Sequence, residues 1–211
     1  MANEISSASV PTLRRLPLYL HYLKQLKEKE ILYISSTTLA KQLKFEAIQV
    51  RKDLAVTGIV GRPKIGYPVS ELIKKIERFI NWDKTMNAVI VGAGALGSAL
   101  LGYTGFEDSG LKILSAFDAD INKIGSVIHE RPVLSLNDLP KYIKENNISV
   151  GIITVPASSA QQICDLLVSA KVKSIWNFTP VVLETPKNII VKNQDPIRGL
   201  AELTFRLKHS K

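Results

Sequence analysis

Three glycines, at 92, 94 and 97, and a carboxylate at 118 are the residues of this chain whose spacing fits a recognised chemistry. The glycines stand in Gly92-Ala93-Gly94-Ala95-Leu96-Gly97, between an apolar run at 87–91 and a helical-looking stretch at 98–101. A G-x-G-x-x-G string alone says little, but one that joins a strand to a helix has a mechanism. Gly92 permits a tight turn, Gly94 lets the backbone approach a pyrophosphate, and Gly97 lets helix and strand pack closely. Ala93, Ala95 and Leu96 complete the loop, and the helix N-terminus adds N–H donors and a dipole that favours phosphate. Asp118 follows Gly97 by 21 residues, at the end of an expected strand over 112–117. A carboxylate there accepts hydrogen bonds from ribose hydroxyls and repels a 2′-phosphate, which favours NAD(H) over NADP(H). Asp120 is the neighbouring alternative. Lys123 either pairs with one of these carboxylates or simply solvates the surface.

These residues need a sheet to hold them. Helical patterns at 138–145 and 160–170 alternate with strand patterns at 150–155 and 173–176, and 189–191 is a further apolar run. Strands alternating with helices predict a parallel sheet of Rossmann type. Ligands of such sheets bind at the carboxyl ends of the strands. Val155, Pro156 and Ala157, and then Asn177, Phe178 and Thr179, are therefore candidates to line the nicotinamide side. A dehydrogenase also needs an acid or base near the nicotinamide. None of His21, His129 and His209 falls at a strand end, so the dinucleotide reads as a signal and not as a reactant. A small oxidoreductase and a sensor of another nucleotide, such as coenzyme A, are the competing readings.

The N-terminal part has a different character. Residues 1–84 hold 15 of the 28 Lys+Arg and 8 of the 19 Asp+Glu, a net of +7, which leaves +2 for the rest. Such asymmetry suits a polyanion. Leu16, Tyr19, Leu20, Leu23 and Leu26 predict an amphipathic helix over 17–29, with Pro17 in its first turn. The hydroxyl cluster at 35–38 is suited to capping a second helix at 39–43, and Ser36 and Thr38 within it are candidate DNA contacts. A third helix at 46–56 turns Ala47, Val50 and Leu54 inward. Gln49 and Lys52 point outward with Ile48, and Arg51 lies at the edge. This is a helix-turn-helix pattern with donors on the face opposite the core. Gly61 and Gly66 bracket the basic stretch Arg62-Pro63-Lys64-Ile65, followed by Tyr67, as in the wing of a winged helix. Arg62 is suited to the minor groove and Lys64 to phosphates. Another helix at 69–82 precedes a linker. The domain expectation is a DNA-binding winged helix at 1–84 and a dinucleotide-binding domain at 85–195.

No apolar run reaches the ~18 residues of a membrane span, and residues 1–10 lack the apolar centre of a secretory signal. One cysteine, Cys164, excludes an intrachain disulfide and fits a reducing compartment, so a cytoplasmic location is expected. Cys164 reads as a small buried hydrophobe. The last helix, 197–208, is amphipathic and packs either on its own domain or on a partner subunit.

Several strings together resemble the redox-sensing transcriptional repressor family Rex, across essentially the whole chain. They are Leu16-Pro17-Leu18-Tyr19-Leu20, Gln49-Val50-Arg51-Lys52-Asp53-Leu54, Val91-Gly92-Ala93-Gly94, Ala116-Phe117-Asp118-Ala119-Asp120, Val155-Pro156-Ala157 and Asn177-Phe178-Thr179-Pro180-Val181-Val182-Leu183. The resemblance implies a homodimer whose C-terminal helix, 196–211, is swapped into the partner. It implies a repressor of palindromic operators, released by NADH while NAD⁺ competes and permits binding. It further implies that Tyr103, with Phe106, lies near the nicotinamide. Asp195 is implied to reach the partner's site, with Tyr103 and Arg15 as alternative contacts. Three features depart from the family pattern: Ala95 in the glycine loop, the 61–67 stretch, and Pro196 after Asp195.

Overall fold

The first helix begins earlier than its leucine pattern implies. In this computed structural model, which describes residues 8–194 and 196–209, α1 spans Val10–Glu28. Its start is set by Ser9, whose hydroxyl accepts the Thr12 N–H at 3.2 Å, and Pro17 lies inside the helix instead of opening it. Burial of Leu16, Tyr19, Leu20 and Leu23 along one face offsets the hydrogen bond that Pro17 removes. A short strand β1 (Tyr33–Ile34) follows, then α2 (Ser36–Leu43), capped by the Ser35 hydroxyl, and α3 (Ala47–Ala55). Antiparallel β2 (Tyr67–Pro68) pairs with β1, and α4 (Val69–Phe79) closes the unit. Val50 and Leu54 of α3 join Leu39 and the apolar stripe Leu72, Ile73 and Ile76 of α4 in one core with α1.

The chain divides into two units, Met1–Lys84 and Thr85–Lys211. In the second, β3 (Met86–Val91) runs into the glycine loop and α5 (Ala95–Leu101). Then come β4 (Leu111–Asp118), the hairpin β5 (Val127–Ile128) and β6 (Arg131–Ser135), and α6 (Leu139–Glu145). β7 (Val150–Ile153), α7 (Ala160–Ser169), β8 (Ser174–Asn177) and β9 (Ile190–Asn193) complete the sheet. Its order is β5-β6-β4-β3-β7-β8-β9, parallel throughout except for the β5–β6 hairpin. The central strand β3 is buried from Ala88 to Val91, as a continuous apolar run in a parallel sheet should be. The chain lays β4 and β6 on one side of β3, then crosses to lay β7, β8 and β9 on the other. That reversal is the topological switch point of a Rossmann-like sheet, where a crevice opens at the carboxyl ends of the strands.

The β5–β6 hairpin has no counterpart in the sequence expectations. Its turn residues, His129 and Glu130, both have positive φ, and Arg131 makes a 2.6 Å ion pair with Glu107. Cys164 is buried, as expected, and burial pushes its thiol pKa up. The last helix, α8 (Pro196–His209), carries Leu200, Leu203 and Phe205 exposed at 52–65%. Among the described residues, no helix is long and apolar enough to cross a membrane.

Candidate functional site

The three glycines do distinct jobs. Gly92 has φ +106°, and a Cβ on it would meet the Thr154 carbonyl carbon at 2.8 Å. A Cβ on Gly97 would drive into the Gly92 carbonyl oxygen, so the helix sits as close to the strand as glycine allows. A Cβ on Gly94 would meet nothing within 4 Å. The open space lies over Gly94, where a pyrophosphate would approach. Thr154, which the sequence reading did not single out, ties the loop to β7: its hydroxyl donates to the Gly92 carbonyl at 2.8 Å.

Above the loop lies a crevice of about 1230 Å³. Gly92, Gly94, Asp118 and Lys123 line it with Val155 and Pro156, while Asn137 and Pro140 lie on one side and Ser159 and Gln162 on another. The Asp118 carboxylate accepts the Ala93 N–H at 2.8 Å, the Asp120 N–H at 2.9 Å and the Lys123 ammonium at 3.1 Å. Burial raises its pKa, but the Asp120 and Ala93 amides and Lys123 outweigh that and hold it below the usual carboxylate range. Asp118 is thus an anion at neutral pH, fixed at the strand end with lone pairs to spare. Lys123 is an ion-pair partner here, 3.1 Å from Asp118 and 3.9 Å from Asp120, and not a merely solvated lysine. Two expectations shift. The Ala93 N–H is spent on Asp118 and is not available to phosphate. Asp120 is exposed and bonded to Asn122 instead of lining the crevice.

The nicotinamide-side candidates divide. Ala157 is exposed in the turn that precedes α7. Asn177 and Thr179 are buried, and their polar atoms serve each other. The Asn177 amide nitrogen donates to the Val181 carbonyl and to Asn193, while its oxygen accepts the Thr179 N–H and hydroxyl. Their side chains are a structural clip at the end of β8. Phe178 instead joins an aromatic chain, Tyr103–Phe106–Trp176–Phe178, with ring centroids 4.9, 5.5 and 5.0 Å apart. Tyr103, exposed, and Phe106 line a second pocket of about 370 Å³. His129, expected away from the strand ends, lines that pocket from the hairpin turn. Asp195 lies outside the described residues.

In the N-terminal unit, Arg51, Lys52, Arg62 and Lys64 are exposed, and Thr38 is exposed with its hydroxyl 2.8 Å from Ser35. The 62–66 turn is closed by reciprocal hydrogen bonds between Arg62 and Gly66, and Arg62 donates to the Tyr33 hydroxyl at 3.3 Å. Ser36 is largely buried at the first turn of α2, where it lines a small pocket together with Arg51, Arg62 and Lys64. Tyr67 is half-buried, with its ring beside Gly61. Gln49 is also half-buried and donates to Asp53. Asp53, which the sequence reading named only within the Gln49–Leu54 string, is the acceptor at the centre of this cluster. It is 1% exposed and also accepts from Thr12, Tyr19 and, through two nitrogens, Arg15.

The comparisons with known proteins agree with this architecture. Residues 7–55 match the family described as putative DNA-binding protein N-terminus, and residues 83–181 the family described as CoA binding domain. The redox-sensing transcriptional repressor Rex of Treponema denticola is 46% identical over 96% of this chain and 97% of its own length. That of Carboxydothermus hydrogenoformans is 43% identical over 93% and 95%. The chain belongs to the Rex family. Among solved Rex-family structures, RSP in complex with β-NAD⁺ and operator DNA superposes with a TM-score of 0.90 at 36% identity, covering 96% of this chain and 93% of that one. RSP in complex with β-NADH gives 0.84 at 35% identity, covering 96% and 95%. Rex relatives are named as repressors, not as enzymes.

Proposed function

We propose that this protein is a redox-sensing repressor that binds operator DNA and is released when NADH binds. One observation supports this most directly. The crevice places an open glycine, Gly94, beside a fixed carboxylate, Asp118, the pairing that takes a pyrophosphate and an adenosine ribose with free hydroxyls. On this reading NAD⁺ competes for the same crevice and permits DNA binding, and Tyr103 and Phe106 lie toward the nicotinamide. α3 is the recognition helix and the 61–67 turn is the wing of a winged helix that makes up residues 1–84. The protein acts where the DNA is, in the cytoplasm. Its C-terminal helix, 196–211, crosses to a second copy. The exposed apolar side chains of α8 support this, since an amphipathic helix needs a surface to cover its apolar stripe. A two-fold dimer would match a palindromic operator. Asp195 of one copy would then meet Arg15 or Tyr103 of the other. Arg15 enters that exchange with Nε and Nη2 already on Asp53.

The test is a titration of NADH against NAD⁺ on the protein bound to a labelled palindromic duplex. Release by NADH alone is expected. Indifference to both nucleotides would sink the reading. Two substitutions separate its halves. Arg51→Ala should weaken operator binding about tenfold or more, from the ~1–3 kcal/mol of a good base contact, and leave NADH affinity unchanged in a fluorescence titration. Asp118→Ala should lower NADH affinity about tenfold, the value of a hydrogen bond to a charged group. It should also narrow the preference over NADPH, because it leaves Lys123 beside the 2′ position with only the more distant Asp120 as counter-charge.

A further inference from the structure

Within the repressor reading, we infer that Asp53 sets operator selectivity by fixing which way round the Gln49 side-chain amide faces. An ionised carboxylate only accepts hydrogen bonds. Burial alone would raise the Asp53 pKa, but Arg15, Tyr19, Gln49 and Thr12 all donate to it and hold it below the usual range. It is therefore an anion wherever the protein works. The group of Gln49 that meets it, 2.9 Å from Oδ1, must be the NH₂. The carboxylate itself has no freedom to turn. Arg15 grips both oxygens, with Nε at 2.6 Å and Nη2 at 2.8 Å, and the Tyr19 hydroxyl and Thr12 hydroxyl hold the two edges at 2.6 and 3.0 Å.

The consequence falls on the neighbouring surface. Gln49 sits at the rim of the exposed face of α3 that carries Ile48, Arg51 and Lys52. With its NH₂ turned inward, Oε1 is directed away from Asp53. A glutamine without such an anchor can rotate its amide to suit either donors or acceptors. This one offers an acceptor. In the major groove the donors are the exocyclic amines, adenine N6 and cytosine N4, while guanine O6 and thymine O4 are acceptors. Gln49 therefore favours an amine and meets guanine or thymine oxygen to oxygen. Asp53 touches no base in this scheme and is a positioning residue that acts through Gln49.

The test is selection from a duplex library randomised over the half-site, run with the full-length protein, Asp53→Asn and Gln49→Ala. The wild type should prefer adenine or cytosine on the contacted strand at one base pair of each half-site. Gln49→Ala should lose about tenfold of that preference. Asp53→Asn, whose amide can donate as well as accept, should lose a similar factor at the same pair. Affinity for random-sequence duplex, and its dependence on salt, should stay within about twofold in both variants, because phosphate contacts supply that term. A purely structural role would lower specific and random-sequence affinity together. The inference is overturned if Gln49→Ala keeps the wild-type preference at every pair, or if Asp53→Asn reduces specific and random binding by one factor. A wild type that selects no sequence would instead overturn the repressor reading beneath it.

Discussion

Gly94→Val is expected to abolish the response to NADH and to leave DNA binding intact. The backbone at Gly94 is extended, φ −83° and ψ −169°, a conformation that valine adopts without strain. A Cβ there meets nothing within 4 Å, so the fold has room for the side chain. That room is the crevice itself. Two added methyl groups would stand where a pyrophosphate has to come down on the loop. A loss of at least ~100-fold in NADH affinity, about 2.7 kcal/mol, is expected. Nucleotide fluorescence, operator anisotropy and a thermal melt measured together check it. Gly97→Val provides the contrast. Its side chain would be forced into the Gly92 carbonyl oxygen, so it should lower the melting temperature of the C-terminal unit and lose NADH only as a by-product. If Gly94→Val were still released from operator by NADH, the pyrophosphate would not lie over this loop.

The glycine loop was legible in the sequence because its constraints are local. An apolar run feeds it, a helix follows it, and the carboxylate sits one strand further on. What was not legible had no local signal. The β5–β6 hairpin turns on His129 and Glu130, both left-handed, where asparagine and glycine would have advertised the turn. Pro132 in β6 further disguised the strand, and it is tolerated on that exposed hairpin. The start of α1 was hidden by Pro17, which reads as a first-turn residue because interior proline costs about 3 kcal/mol. The buried face around Leu16 and Tyr19 carries that cost, and burial is a tertiary fact. For Lys123 the sequence leaves pairing with a carboxylate and solvating the surface both open, and only the fold brings it to Asp118. The Asp53 hub lay furthest out of reach. Its donors Thr12 and Tyr19 are 41 and 34 residues away in the chain. Only Gln49, four residues back on the same helix, could have hinted at it.

Removing that hub should have the largest effect on the stability of the N-terminal unit. Asp53→Ala would leave the Arg15 guanidinium and the Tyr19 hydroxyl without their acceptor. Their pKa values are raised in the intact protein, that of Arg15 chiefly by its hydrogen bond to Asp53 and that of Tyr19 first by burial and then by Asp53. Breaking a buried ion pair costs about 3–5 kcal/mol. Arg15 is 18% exposed and can recover some hydration, which argues for about 3 kcal/mol. For a unit of this size that is a fall of more than about 10 °C in melting temperature. Acid gives an independent reading. The folded pKa of Asp53 lies below its unfolded value, so its contribution is fully present above about pH 4 and is lost as pH falls through the folded pKa. Asp118 is lowered in the same direction in the other unit, so a global melt would mix the two. Hydrogen exchange at the amides of α1 and α3 isolates the hub. Their protection should decline below about pH 4 in the wild type and be low and nearly flat in Asp53→Ala. A variant that melted within 2 °C of the wild type, roughly half a kcal/mol at most, would mean that Arg15 and Tyr19 reach water freely. In that case Asp53 would not be rigid enough to hold the Gln49 amide.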